Sequence, residues 1–256
     1  MNVLLEFQAD HAVLTLNRPE ALNALSFALL RELDQALDEV NASAARGLIV
    51  TGTGSKAFCA GADIPELMNR SAGQQRRDTR VAQNIISRLS QLRMPSVALI
   101  RGFALGGGME VALACNFRIA TRDARMGLPE IKLGLIPGYG GTQRLPRLIG
   151  ESRALEIILS GRFVDAEEAL RIGLVNQLVD DGEPMDVARS FLARFTPYSL
   201  NAASLAREAV VRGMQGSLDE GLKIEADLIS AALQSADGCD GMQAFVEKRK
   251  AVVKDQ

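Results

Sequence analysis

The residues of this chain equipped to move protons are two glutamates set among glycines. Glu110 closes the stretch Phe103 to Glu110, FALGGGME, and Glu130 follows Pro129 within residues 126 to 141, MGLPEIKLGLIPGYGG. Three consecutive glycines after a short apolar run, Ser96 to Ile100, mark a strand-to-helix junction. They allow tight turning and close backbone approach, and they leave amide N–H groups at a helix start directed outward. Such a junction holds an anion, or an oxygen that becomes anionic only in a transition state. Glu110 falls in the first turn after the glycines, where the helix dipole favours a carboxylate. The same stretch also reads as a Gly-rich turn before a helix whose acid serves the dipole alone. Glu130, in an apolar and Gly-rich surround, either stands exposed in a turn or is partly desolvated with a raised pKa.

Composition narrows what else could act. The chain has 256 residues, 47% hydrophobic and 23% charged, an ordinary globular balance that can bury a substantial core. Its formal net charge of −2 gives no overall attraction to nucleic acid. No apolar run approaches the ~18 residues a membrane span needs, and the N-terminus lacks the build of a signal or transit peptide, so a cytoplasmic location is expected. The single histidine, His11, sits in what reads as a hairpin turn and is expected at the surface. Histidine triads and clustered-histidine metal sites are thereby disfavoured, leaving acid–base work to carboxylates, lysines, tyrosines or thiols. Cys59, Cys115 and Cys239 are odd in number and widely spaced, which suits reduced buried thiols.

The elements that must position these groups alternate in type. Val3 to Phe7 and Ala12 to Leu16 read as paired strands, and Ser26 as the N-cap of a helix burying Leu30, Leu33, Leu37 and Val40. Gly47 to Thr51, Ser96 to Ile100, Phe117 to Ala120 and Val175 to Val179 read as further strands, giving α/β layering. Between them, Thr51 to Ile64 (TGTGSKAFCAGADI) forms a second small-residue turn able to expose amides, especially that of Ala62, before Asp63 and Glu66 open a helix. Asn69 to Arg80 is polar and reads as a solvated helix or mobile loop, with helical periodicity resuming over Val81 to Leu92. Beyond about Asp186 only helices are expected, over Val187 to Phe195, Ala202 to Arg212, Leu218 to Leu233 and Gly241 to Val253, with breaks at Pro197, Gly216 and Gly238.

Taken together, NRPEALNAL (Asn17 to Leu25), FCAGADI (Phe58 to Ile64), ALGGGME (Ala104 to Glu110), PEIKLGLIPGYGGTQRL (Pro129 to Leu145) and GMQAFVEKRK (Gly241 to Lys250) resemble the crotonase superfamily of enoyl-CoA hydratases and isomerases. The resemblance covers nearly the whole chain. It implies an α/β crotonase-like spiral of repeated strand-strand-helix units over residues 1 to 195, and an α-helical C-terminal trimerisation region over 196 to 256. It implies an acyl-CoA thioester substrate, a homotrimer or a hexamer built as a dimer of trimers, no metal, and no cofactor beyond the coenzyme A of the substrate.

Carried over residue by residue, the resemblance makes Glu110 and Glu130 the catalytic acids, and the backbone N–H groups of Ala62 and Gly107 an oxyanion hole. Gly138 becomes a backbone donor near the water and second acid, and Ala21, Leu22, Ala62, Asp63, Ile64 and Pro65 become CoA contacts. The implied activity is reversible hydration of a 2-enoyl-CoA. The enzymatic alternatives are a 3,2-enoyl-CoA isomerase or a branched-chain, methylglutaconyl-type hydratase. From a different class stands an RNA-binding homologue, using arginines 70, 76, 77 and 80 with Lys248, Arg249 and Lys250, against which the acidic charge and 4% aromatic content weigh. Phe103, Met109 and Tyr139 depart from the commonest family pattern, and Met109 and Tyr139 are expected to reshape the acyl pocket.

Overall fold

A computed structural model describes residues 1 to 180 and 182 to 255. The chain divides into two compact units: one comprises Met1–Leu92 and Ser96–Leu192, the other Arg93–Pro95 and the residues from Ala193 onward.

The first unit begins with an antiparallel pair, β1 (Val3–Phe7) and β2 (Ala12–Leu16), followed by α1 (Phe27–Ala42) and β3 (Leu48–Gly52). Ser26 caps α1 by accepting the Leu29 N–H at 3.1 Å, and the helix buries Leu29, Leu30, Leu33, Leu37 and Val40. The chain then runs through β4 (Ala57–Cys59), α2 (Ile64–Leu67), α3 (Ala72–Arg88), β5 (Ser96–Ile100), β6 (Phe103–Leu105) and α4 (Gly107–Ala114). It continues through β7 (Phe117–Thr121), β8 (Arg125–Gly127), a 3-10 turn at Pro129–Leu133, α5 (Gly141–Ile149) and α6 (Glu151–Ser160), and closes with β9 (Val164–Asp165), α7 (Ala166–Arg171), β10 (Gln177–Val179) and α8 (Pro184–Leu192).

Two sheets result, a six-stranded one in the order β1-β2-β3-β5-β7-β10 and a four-stranded one in the order β4-β6-β8-β9. Each repeat sends its first strand to the large sheet (β3, β5, β7) and its second to the small one (β4, β6, β8), and from β2 onward in the first and β4 onward in the second these successive strands pair in parallel. This is the expected spiral. The inner strands LIVTG and SVALI are buried along their whole length, as parallel strands covered on both faces must be.

The small sheet is the part sequence reading missed. Its strands are three residues long or fewer, too short for alternation to register. In this unit two open readings are decided and one expectation is corrected. Of the two readings of the polar segment before Val81, the helix is the one found: Ser71 and Gln74 form a capping box, and from Ala72 one helix runs on to Arg88. The apolar segment after Glu110, whose five residues alone carry no period, continues the helix that the glycine junction opens. His11 is buried, 8% exposed, with Nδ1 2.7 Å from Asp10 Oδ1.

The second unit is helical: α9 (Leu200–Gly213), α10 (Leu218–Gln234) and α11 (Ala236–Glu247). Gly238 is not a break. Its N–H donates to the Ser235 Oγ at 2.9 Å, so it belongs to the first turn of α11, which ends at Lys248 in the left-handed region, short of Val253. Cys239 is exposed rather than buried, and all three thiols are free. Arg249 is paired with Asp240 and Glu247, each at 2.7 Å, which takes it out of an open basic tail. Among the described residues no helix is long and apolar enough to cross a membrane.

Candidate active site

Helix α4 starts where it does because three glycines let backbone approach backbone. After β6 the chain turns at Gly106, at φ 51° and ψ −125°, a conformation that disfavours any side chain. A Cβ on Gly108 would lie 2.1 Å from the Cys59 carbonyl oxygen, so the bare helix packs directly on the end of β4. A Cβ on Gly107 would stand 3.4 Å from the Ala62 nitrogen, which brings the two residues side by side.

Ala62 is fixed from its other edge. The Leu25 N–H donates to the Gly61 carbonyl at 2.8 Å and the Asp63 N–H donates to the Leu25 carbonyl at 3.0 Å. In such a strand-like pairing successive residues alternate sides, so the Ala62 N–H faces away from Leu25. Among the described residues, neither the Ala62 nor the Gly107 N–H has a backbone acceptor, and both residues line the same cavity.

Glu110, one turn into α4, is 1% exposed and also lines this cavity. Its Oε1 accepts the N–H groups of Tyr139 and Gly141, each at 2.7 Å. Burial pushes its pKa up to about 7; the Gly141 and Tyr139 N–H groups and the Arg144 charge pull the other way, and Glu130 adds to the rise. Glu130, in the 3-10 turn, projects its Oε1 to 3.1 Å from the position a Gly106 Cβ would take. Its Oε2 is buried with no hydrogen-bond partner among the described residues, and burial raises its pKa as well. Of the two readings of Glu130, the desolvated acid is the one found. The two carboxyls therefore border one space, one held by two amides and the other left to whatever enters.

The loop carrying those amides, residues 137 to 141, is itself clamped. Gln83 Nε2 donates to the Gly138 carbonyl at 2.7 Å, and Arg144 donates to the Tyr139 carbonyl at 3.0 Å and to Ser87 Oγ at 2.9 Å. Gly138 lines the cavity, but the donors on Glu110 are its neighbours Tyr139 and Gly141. The Tyr139 ring is buried against Gly107, with Cδ2 3.2 Å from a Cβ position there, and burial pushes its phenol up to about 12. Gln83, Ser87 and Arg144 escaped the sequence reading. Arg144 lies inside a quoted motif and offered a signal, whereas Gln83 and Ser87 are ordinary polar positions of a helix.

The cavity measures about 840 Å³, the size of a small-molecule site, with Ile64, Leu67, Leu133, Ile136 and Phe163 among its apolar walls. Ala62 and Ile64 line it; Ala21, Leu22, Asp63 and Pro65 do not. Ala21 and Leu22 lie on a neighbouring turn that is stitched to the Ala62 segment. The Ala60 N–H donates to the Leu22 carbonyl at 3.0 Å, and Arg18 pairs with Asp63 at 2.9 Å. Leu22 and Asn23 both adopt positive φ there, and Asn23 is pinned by donating to the Ala57 carbonyl at 2.8 Å.

A spiral of strand-strand-helix repeats with two free amides, one buried acid and one half-buried acid around an apolar cavity defines an acid–base enzyme class that works on a carbonyl compound. The chain matches the family model described as Enoyl-CoA hydratase/isomerase over residues 6–256, and it belongs to that family. It is 42% identical over 250 residues to the short-chain-enoyl-CoA hydratase of Clostridium acetobutylicum, covering 97% of this chain and 96% of the relative. To the crotonyl-CoA hydratase of Syntrophomonas wolfei it is 41% identical over 251 residues, covering 98% and 96%. Among solved structures, the enoyl-CoA hydratase from Bacillus anthracis superposes with a TM-score of 0.93 at 40% identity, covering 100% of both chains.

Proposed function

We propose that this protein is an enoyl-CoA hydratase, a hydro-lyase that adds water reversibly across the double bond of a 2-enoyl-CoA to give the 3-hydroxyacyl-CoA. The observation that carries the reading is the pairing of Glu110 and Glu130 across one cavity beside the unengaged N–H groups of Ala62 and Gly107. The names of the relatives, both hydratases of short enoyl thioesters, support it.

In this mechanism the thioester oxygen sits between the two amides. Glu110, ionised, takes a proton from water as the water oxygen bonds to Cβ. The π electrons move onto the thioester as an enolate, and the amides stabilise that charge; one such donor is worth about 2.7 to 4 kcal/mol of barrier. Protonated Glu130 then delivers its proton to Cα, and the carbonyl re-forms. The proton gained by Glu110 returns to Glu130 through solvent, which restores the starting state. Two acids whose environments differ, one with amide donors and one without, suit this division of roles.

The substrate brings the coenzyme A, held along Ala21, Leu22 and Ala62 to Pro65, and the reading assigns no other cofactor. We place the enzyme in the cytoplasm, which its three free thiols support. We also propose a homotrimer or a dimer of trimers assembled through the helical unit, whose α9 and α10 border an apolar groove.

The test is hydration of crotonyl-CoA, followed by loss of enoyl absorbance, beside a 3-enoyl-CoA of the same length. Wild-type turnover of the 2-enoyl thioester, with large losses in both Glu110→Gln and Glu130→Gln, is the expected result. Undiminished turnover in either variant sinks the assignment, and turnover of the 3-enoyl thioester alone replaces hydration with isomerisation.

A further inference from the structure

The peptide unit joining Gly138 to Tyr139 is engaged at both ends. Its N–H donates to Glu110 Oε1 at 2.7 Å, and its carbonyl accepts from Gln83 Nε2 at 2.7 Å. A donor on the carbonyl and an acceptor on the N–H of one amide polarise it in the same sense, so each bond strengthens the other. The rest of the loop is held by different means. The Tyr139 carbonyl accepts from Arg144, and the Gly140 carbonyl accepts the Gln143 and Arg144 N–H groups at 3.0 and 2.8 Å, in the first turn of α5. Gln83 and Ser87 stand four residues apart on α3 and thus share a face of it. One grips the loop directly, the other through Arg144.

We infer that Gln83 is a positioning residue for Glu110: by holding the Gly138 carbonyl it aims and polarises the Tyr139 N–H that carries the carboxylate, and so fixes the base against the attacking water. This rests on the reading of Glu110 as the general base. Gln83 also lines the cavity, so the competing role is that of a plain wall. The two roles differ in what they do to the carboxyl. A wall changes how substrate fits, while a positioning residue changes the acidity of Glu110 with no substrate present.

Gln83→Met keeps the length of the side chain and removes its donor. The other groups that act on Glu110 stay in place: Glu130 from the 3-10 turn, Arg144 from α5 and the Tyr139 phenol from the loop. An infrared difference titration, with the Glu110 band assigned by E110Q, reads its midpoint directly. In Q83M the midpoint is expected to rise by about 0.3 to 0.5 unit, since the weakened N–H stabilises the carboxylate less. In crotonyl-CoA hydration kcat falls about fivefold while KM stays within about twofold, and the acid limb of the kcat/KM profile moves up by the same amount.

An unmoved midpoint overturns the inference, as does a rise in KM with kcat unchanged. Should Q83M fail to fold, Gln83→Ser, whose hydroxyl is too short to reach the loop, carries the same titration and the same expected shift. The titration needs no turnover. A wild-type chain that does not hydrate enoyl thioesters sinks the functional reading, whereas a Glu110 midpoint indifferent to residue 83 sinks this one.

Discussion

Gly108 lies so close to Cys59 that a Cβ added to it would stand 2.1 Å from the Cys59 carbonyl oxygen. Both partners are backbone, so neither can rotate away. That contact sets the distance between the start of α4, with Gly107, and the end of β4, from which the chain runs on to Ala62. Gly108→Ala must therefore push the helix back and spread the two free amides. Expected are a loss of about 1 to 3 kcal/mol in stability from overpacking and a fall of at least about 100-fold in kcat/KM, the usual cost of one misplaced oxyanion donor. Thermal melts and crotonyl-CoA hydration measure the two. A folded G108A enzyme with wild-type turnover would show that the close packing is not what spaces the donors.

Glu110 makes stability depend on pH in a defined direction. Its pKa is about 7 in the fold against 4.5 for the free side chain, so between those values the native state holds a proton that the unfolded chain has released. Stability from this group is fully present below pH 4.5 and declines as pH rises toward 7. Carried to completion the loss is roughly 3 kcal/mol at the protein level, less where Glu130 shares the proton. Glu110→Gln keeps an oxygen for the Tyr139 and Gly141 amides and cannot ionise. Urea unfolding should therefore find E110Q gaining about 1 to 3 kcal/mol on the wild type between pH 5 and pH 8.5. A constant difference across that range would mean that Glu110 titrates as an ordinary carboxyl.

How much of this was readable from residues alone follows the length over which each signal runs. The large sheet and α1 announced themselves through five-residue apolar strands and a helix with a cap and a repeating buried face. The small sheet did not, because strands of two or three residues carry no period, although they deliver Ala62, Gly107 and Glu130 to the cavity. The acids and glycines stood out as unusual types in unusual places. Gln83 did not, since only the fold brings α3 to within 2.7 Å of the Gly138 carbonyl. His11 misled for a related reason. A turn-like sequence suggested exposure, but the residue leads directly into β2, whose first three residues are buried.

Tyr139 fills space that a smaller residue would leave open. Its ring is buried against Gly107 in the cavity wall, and its phenol, pushed up to about 12, stays neutral through the working range. Tyr139→Ala should enlarge the acyl end of the cavity while leaving the residue's own N–H on Glu110. The ratio of kcat/KM for an eight-carbon over a four-carbon 2-enoyl-CoA is expected to rise by about tenfold or more, in keeping with the value of a few methylenes in an apolar pocket. Tyr139→Phe should leave the ratio unchanged. Equal ratios in Y139A and wild type would place the acyl chain elsewhere.

The helical unit leaves more apolar surface exposed than an isolated chain tolerates well. Val210, Met214, Leu218, Leu222 and Ile229 are all exposed, and they border one groove between α9 and α10. A contiguous apolar surface of this kind marks an association site, and closed homo-oligomers are the commonest way to cover one. The helices are well formed in themselves: Ser217 and Glu220 make a capping box at the start of α10, and Gly213 and Gly221 let α9 and α10 approach closely. An exposed acid on that face should therefore spare the helices and disturb only what covers them. Sedimentation equilibrium is expected to give the mass of three chains of 27.5 kDa, or six, for the wild type, and Leu222→Asp together with Ile229→Asp should shift it to one. Circular dichroism of the double variant should keep its helical signal. A wild type that sediments as a single chain at micromolar concentration would end the proposal that these helices assemble the enzyme.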